Sequence, residues 1–127
     1  MSFDWSEYLS IAEALCGMPI SGAPAGAEAQ QRTAVSRAYY AGFISARNHL
    51  RDIDRVEMPK RVNPHAFVPA YFMDGSDPRR ENIGRELLRL RTARNRCDYQ
   101  DVVPQVEVLA RISVARAIQV LSDLREL

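Results

Sequence analysis

The chain has 127 residues, of which 46% are apolar and 26% charged, values typical of one folded globular domain with its own core. This composition excludes a disordered chain, and no apolar run approaches the ~18 residues that span a bilayer. The net charge of +1 argues against a protein that coats nucleic acid. We therefore expect a single domain over residues 1–127 that does not enter a membrane.

The first half of the chain predicts two helices. Apolar residues at helical spacing over 5–15 indicate a short amphipathic helix, with Asp4 as its N-cap. Residues 17–26 contain two prolines and three glycines and predict a loop. A longer helix is predicted over 27–52, and it is apolar over a wide arc, as in the centre of a bundle.

The second half predicts three more helices. Residues 65–72 indicate a short helix that Pro69 could break. The next helix begins at Pro78, a favoured first helical position, and continues to about Asp98. Residues 100–104 link it to a last helix that runs to the C-terminus. The pattern predicts an all-α, up-and-down bundle of four long helices plus one short helix.

The sequence lacks the common motifs of metal-binding, nucleotide-binding and nucleophile-based catalytic sites. The chain has two histidines, and Cys16 and Cys97 stand far apart without a CxxC pair. Phosphate-loop, dinucleotide-binding, zinc-protease and nucleophile-elbow motifs are absent from the sequence. We expect no metal and no cofactor. The first residues lack the basic start and apolar run of a signal peptide, so we expect a reducing cytoplasm.

An arginine interrupts the apolar stripe of the fourth helix. Ile83, Leu87, Leu90 and Cys97 follow a 4-3-4-3 spacing whose missing position is Arg94. A guanidinium on a buried face is costly unless it is paired or opens into a polar groove. The spacing therefore leaves two interpretations, a structural ion pair or a phosphate-binding arginine.

The residues around Arg94 fit either interpretation. Asp98 lies four residues after Arg94, and Tyr99 lies four residues after Asn95, so each pair shares a helix face. Residues 79–96 hold seven arginines against two glutamates, a local excess of +5. Sixteen of the 17 basic residues are arginine, which suits bidentate phosphate binding but equally reflects a GC-rich genome.

The second helix carries the other candidate cluster, Ser36-Arg37-Ala38-Tyr39-Tyr40-Ala41-Gly42-Phe43. Adjacent tyrosines cannot share one face, so we expect one in the core and the other against a neighbouring helix or partner. The small residues allow close helix approach. Arg37 is a candidate to pair with Asp98 or to bind a ligand, and His65 is either a surface residue or part of a site.

At these two clusters the chain resembles the HEPN superfamily of small helical bundles. Its second helix is similar to the "SRAYYAxFxxAR" pattern over 36–47, and 94–99 (Arg-Asn-Arg-Cys-Asp-Tyr) are similar to the "R-x-x-A-D-Y" form on the fourth. His65 loosely matches a histidine of the segment before that helix. The resemblance implies a helical domain that homodimerises and brings two copies of an Arg–His motif into one cleft.

What the resemblance implies for function is a metal-independent endoribonuclease of toxin or defence type, in which Arg94 is the motif arginine and Asn95 its polar neighbour. Tyr99 occupies the position of the usual motif histidine. A phenol with a pKa near 10 is a poorer general base at neutral pH than an imidazole near 6.5. Tyr99 could still orient a substrate.

We therefore expect RNA or nucleotide binding in a basic groove between second and fourth helices of a homodimer. Arg94, Asp98 and Tyr99 are the candidate catalytic residues, and the candidate substrate-binding residues are Arg37, Asn95, Tyr40 and His65. The alternative is a non-catalytic interaction module that binds another protein, such as a nucleotidyltransferase.

Overall fold

The structure is a computed structural model that describes residues 2–17, 22 and 26–127. In these ranges it is all-helical, and no strand occurs in them. The described helices are α1 (Glu7–Cys16), α2 (Ala27–Asp52), α3 (Pro64–Met73), α4 (Pro78–Tyr99) and α5 (Val106–Arg125). Most of the predicted loop over 17–26 lies outside the described residues. No helix in the described ranges is long and apolar enough to cross a membrane.

The bounds of α2 match the predicted range 27–52 at both ends. The number of long helices differs from the prediction. The three long helices, α2, α4 and α5, have 26, 22 and 20 residues, whereas α1 and α3 have 10 each. The expectation of four long helices and one short helix was therefore wrong. The first helix ends at Cys16, and the next residue, Gly17, donates its backbone N–H to the carbonyl of Glu13.

Two further boundary predictions need correction. Asp4 is not the N-cap of α1; its carboxylate accepts hydrogen bonds from the backbone and hydroxyl of Ser6, and this turn precedes the helix. Pro69 does not break α3, which continues to Met73. Asn63 starts α3 by accepting a hydrogen bond from the His65 N–H, so the helix begins in a fixed direction.

Contacts at both ends show that α4 runs antiparallel to α2. Arg32, near the start of α2, donates to the carbonyl of Cys97 near the end of α4. At the opposite ends, Arg80 of α4 pairs with Asp54, just after α2. The N-terminal half of α2 therefore faces the C-terminal half of α4, which carries Arg94.

Arg32 also fixes the end of α4. Its guanidinium donates to three carbonyls, those of Cys97 at 2.9 Å, Gln100 at 2.6 Å and Asp101 at 2.9 Å. The last carbonyls of a helix have no partner within the helix, and a cation there also opposes the negative end of the helix dipole. This one side chain holds both the helix end and the turn that follows.

The core lies around α2, and glycines on two helices border it. A larger apolar cluster joins α2 to the other helices, and a smaller one, which includes Val35 and Cys97, joins the start of α2 to the end of α4. The closest backbone approach occurs at Gly84 of α4, which faces Pro69 and Met73 of α3. Gly42 of α2 has more space around it.

Candidate nucleic-acid interface

Arg94 completes the buried stripe of α4 and bonds to groups of its own chain. Its Nη1 donates to Asn95 Oδ1 at 3.0 Å, and its Nη2 donates to the Tyr40 hydroxyl at 2.9 Å. Its Nε lies 2.9 Å from Asp98 Oδ2, which confirms the predicted pair, although this carboxylate is out of line with the Nε–H bond. The side chain remains 17% exposed. One N–H on each terminal nitrogen is left for a ligand.

The two adjacent tyrosines separate as predicted. Tyr39 is 1% exposed and lies in the core, whereas Tyr40 is half-buried and turns toward α4. The guanidinium carbon of Arg94 lies 5.3 Å from the Tyr40 ring centroid and 5.9 Å from that of Tyr39. An arginine over an aromatic face gains cation–π attraction in addition to its hydrogen bonds. Arg94 is thus held by rings as well as by oxygens.

His65 reaches this cluster from α3. Its Nδ1 lies 2.5 Å from the hydroxyl of Tyr39, and its ring stacks on Phe43 with centroids 4.5 Å apart. Tyr40 meets the same ring edge-on at 6.3 Å. The sequence placed His65 near a site only by loose similarity, and the structure shows that it touches both tyrosines.

The hydrogen bond from Tyr39 determines what His65 can do. The buried phenol has one described partner, so it must donate its proton to Nδ1 or leave a buried donor unsatisfied at a cost of about 1–3 kcal/mol. The neutral ring then carries its proton on Nε2, which has no hydrogen-bond partner among the described residues. Burial, reinforced by the charges of Arg94 and Arg91, lowers the pKa of His65 below its ordinary value. His65 is therefore a neutral donor at neutral pH.

Arg37 does not pair with Asp98, contrary to the prediction. Its guanidinium lies over the rings of Tyr8 at 4.7 Å and Tyr40 at 5.1 Å, and its Nη2 donates to the Ser36 hydroxyl at 3.3 Å. The side chain projects along α2 toward α1, where Tyr8 supplies an aromatic face, so it does not turn toward Asp98. Within the described ranges, Arg37 has no carboxylate at ion-pair distance.

Arg91 lies near the candidate site, although the sequence predicted it only as one of the seven arginines of residues 79–96. It is half-buried. Burial is the main cause of the lowered pKa of His65 and of the raised pKa of Tyr39, and the charge of Arg91 adds to the first shift and opposes the second. No hydrogen bond or ion pair of its side chain occurs in the described part of the chain. Its position three residues before Arg94, on the same face of α4, is the signal that could have identified it.

The predicted excess charge of 79–96 is compensated over the first half of α4. Five of the seven arginines pair with carboxylates: Arg79 with Glu126, Arg80 with Asp54, Arg85 with Glu81, Arg89 with Glu86, and Arg94 with Asp98. The uncompensated charge lies at the other end of the helix, where Arg91 and Arg96 lack such pairs in the described residues. The basic surface is therefore smaller than the sequence suggests and is centred on the Arg94 cluster.

Tyr99 is exposed beside this cluster. The residue is 74% exposed, and the centroid of its ring lies 5.7 Å from the guanidinium carbon of Arg94. Asn95 bonds to Arg94, and the predicted contact between Asn95 and Tyr99 is not among the described hydrogen bonds. An exposed ring next to an arginine offers a surface on which a nucleic-acid base can stack.

Comparisons with known proteins give a relative but no activity. An uncharacterized protein of Methanocaldococcus jannaschii is 33% identical over 86 aligned residues, which cover 57% of this chain and 49% of that protein. The chain thus matches about half the length of this relative. No family model matches the chain, and no solved structure matches it.

Proposed function

We propose that this chain is an HEPN-like domain that binds single-stranded RNA at the Arg94 cluster, defined as Arg37, Tyr40, His65, Arg91 and Arg94. The observation that carries the proposal is that Arg37 and Arg91 lie in this half-buried cluster without carboxylate partners in the described residues. Uncompensated arginines next to aromatic rings suit a ligand with phosphates and bases.

Each group has a role in the proposed complex. Arg37 and Arg91 hold phosphate oxygens, and the two unused N–H groups of Arg94 add further donors. His65 donates its Nε2–H to a phosphate or base oxygen. Tyr99 stacks on a base, and Asp98 orients Arg94 without contacting RNA.

The same groups favour binding over cleavage. Metal-independent cleavage requires a base that takes the proton of the ribose 2′-hydroxyl before that oxygen attacks the adjacent phosphate. Tyr99 is a phenol, and His65 bonds through Nδ1 while Nε2 already carries the proton. The candidate catalytic roles of Arg94, Asp98 and Tyr99 thus become binding and orienting roles in this proposal.

Fluorescence anisotropy with a labelled single-stranded RNA tests the proposal. We expect Arg91→Gln to weaken binding about three- to tenfold and to reduce the salt dependence, log K against log salt, by about 0.7, the value for one lost phosphate contact on a single strand. Arg85→Gln is the matched control, because it removes the same charge from the same helix but from an arginine that pairs with Glu81. If both variants weaken binding equally, the affinity depends on the net charge of the protein and not on the position of Arg91.

A parallel incubation in EDTA tests the absence of cleavage. We expect intact RNA after prolonged incubation of wild-type protein at a concentration that saturates binding. Cleavage that survives EDTA and disappears in Arg94→Ala would overturn the binding-only proposal and establish a ribonuclease.

The alternative is a protein-interaction module, and one observation favours it. Tyr99 and Val102 are 74% and 77% exposed at the end of α4, an apolar pair beside the cluster. A partner protein such as a nucleotidyltransferase would cover such side chains. Val102→Asp distinguishes the two functions. If the chain binds a partner protein through this surface, the variant should disrupt the complex, which light scattering measures, while its RNA affinity should stay within about twofold of wild type.

A further inference from the structure

A cavity at the C-terminal end of α2 has no role in the function proposed above. It has a volume of about 480 Å³ and lies between the end of α2, the segment after it, and α3. Its apolar lining consists of Leu50, Val56, Met58 and Phe67, and we call it the Phe67 pocket. The segment after α2 folds back over it because the Val56 N–H donates to the Leu50 carbonyl at 2.8 Å.

Arginines line the polar side of the Phe67 pocket. Arg51 is neutralised by Asp52, with 2.7 Å between Nε and Oδ1. Arg47 hydrogen-bonds only to the neutral amide oxygen of Asn48, so its charge has no carboxylate partner among the described residues.

Arg55 is the most available of the three arginines. It is exposed, has φ of 57°, and makes no hydrogen bond or ion pair in the described part of the chain. A left-handed backbone is unusual for arginine, so a substitution at this position must also tolerate positive φ. Glu57 is the one acidic lining residue, so Arg47 and Arg55 leave the pocket with a positive balance.

One residue of the Phe67 pocket and one residue of the Arg94 cluster lie on the same face of α2. Arg47 follows Tyr40 by seven residues on α2, which is nearly two full turns and about 10 Å along one helix face. Phe67 follows His65 by two residues on α3, so these two side chains leave that helix on different sides and the connection between the two sites runs along α2. A single strand that lies along α2 would therefore meet the cluster and the pocket in succession.

We propose that the Phe67 pocket receives a base of the RNA strand whose phosphates bind at the Arg94 cluster, with Arg47 and Arg55 on the adjoining phosphate. The inference rests on the proposed RNA-binding function and names a base subsite within it. An apolar floor with one aromatic ring suits the face of a base, and two unpaired guanidinium groups suit the charge that every nucleotide carries. The pocket volume lies within the range of known small-ligand sites.

The test uses anisotropy with two labelled probes, a short uridine oligomer and a backbone of the same length that carries abasic residues. We expect Phe67→Ala to weaken binding of the uridine oligomer about five- to tenfold, the loss typical of one base–aromatic stack, and to leave binding of the abasic probe unchanged. Equal weakening of both probes would overturn the role of Phe67 in base binding.

A second variant leaves the core untouched. Arg55→Asn removes the charge and keeps a residue type that tolerates positive φ. Arg61→Asn is the matched control, because Arg61 is also exposed, also has positive φ (70°), and does not line the pocket. We expect about threefold weaker binding of both probes for Arg55→Asn and no change for Arg61→Asn.

The possible failures are distinguishable. If Arg91→Gln weakens RNA binding while Phe67→Ala and Arg55→Asn do not, the pocket lies off the RNA path and the proposed function stands. If wild-type protein binds neither probe, the proposed function and the base subsite are both wrong. Circular dichroism of Phe67→Ala excludes unfolding as the cause of any loss, and Arg55→Asn decides the question if that variant does not fold.

Discussion

Gly84 is the position where the fold tolerates a methyl group least. A Cβ atom placed there would lie 2.6 Å from the carbonyl oxygen of Pro69 and 3.2 Å from the backbone N of Met73, and closer still to the Met73 Cγ. The Met73 side chain can rotate away, but the Pro69 carbonyl belongs to the α3 backbone. Gly84→Ala must therefore push α3 away from α4.

The expected cost follows from two opposing effects. Overpacking a core contact costs about 1–3 kcal/mol, and a clash with backbone belongs at the upper end of that range. Alanine gains about 1 kcal/mol over glycine inside a helix. We expect Gly84→Ala to lower the free energy of unfolding by about 2 kcal/mol.

Gly42→Ala is the matched control, since it is also a glycine inside a long helix. Its added Cβ would lie 3.5 Å from Leu90, 3.6 Å from Leu87 and 3.7 Å from Val120, all at ordinary contact distance and all to side chains. Only the helix-propensity gain remains, so we expect stabilisation of about 0.5–1 kcal/mol. The sequence indicated close helix approach at Ala38, Ala41 and Gly42 of α2, and among the described glycines the tightest approach occurs at Gly84 of α4.

Urea denaturation of the two variants measures the difference. Opposite shifts of the unfolding midpoint, separated by about 3 kcal/mol in free energy, would support the reasoning. A Gly84→Ala protein as stable as wild type would show that α3 does not sit rigidly against α4. Because α3 carries His65, we also expect Gly84→Ala to weaken RNA binding and Gly42→Ala to leave it unchanged.

Three further predictions concern charged groups. Arg32→Ala should lower the free energy of unfolding by about 2 kcal/mol in urea denaturation, because three carbonyls lose a charged donor, and an unchanged midpoint would contradict the capping role. Arg94→Ala should lower the free energy of unfolding by a similar amount. This is less than the ~3–5 kcal/mol of a fully buried pair, because the side chains of Arg94 and Asp98 remain 17% and 30% exposed. A loss below about 0.5 kcal/mol would show that Arg94 does not stabilise the fold. Burial lowers the pKa of His65 and of His49 in the folded protein, so the unfolded chain takes up protons more readily; stability should be full above about pH 6.5 and fall as the pH decreases below it. His65→Gln and His49→Gln should each flatten this fall between about pH 7 and pH 5, and an unchanged slope in both would contradict the assignment.

Periodicity and capping were sufficient to predict that the five described helices form, although not the cap of α1 or the number of long helices. The bounds of α2 and the start of α4 at Pro78 follow from apolar spacing, from Asp77 as a cap and from proline at the first position. The separation of the two adjacent tyrosines, one into the core and one toward a neighbouring helix, follows from the same spacing. The pairing of Arg94 with Asp98 could be predicted because both lie on one helix.

Contacts between helices could not be predicted in the same way. The Tyr39–His65 hydrogen bond joins residues 26 positions apart, and no local pattern identifies a histidine that turns toward a core phenol. The triple cap by Arg32 depends on how α2 and α4 cross. Pairing of Arg37 with Asp98 was wrong because the sequence gives charges without distances, and Tyr8 on α1 offered Arg37 a nearer surface.

The bonding of Arg94 decides how the site must be tested. Three polar neighbours and three rings hold this guanidinium, so removing it changes stability and any ligand contact together. Arg37 and Arg91 lack carboxylate partners in the described residues, so their removal breaks no internal ion pair. A loss of RNA affinity in Arg91→Gln without a loss of stability is therefore the result that separates a binding surface from a structural network.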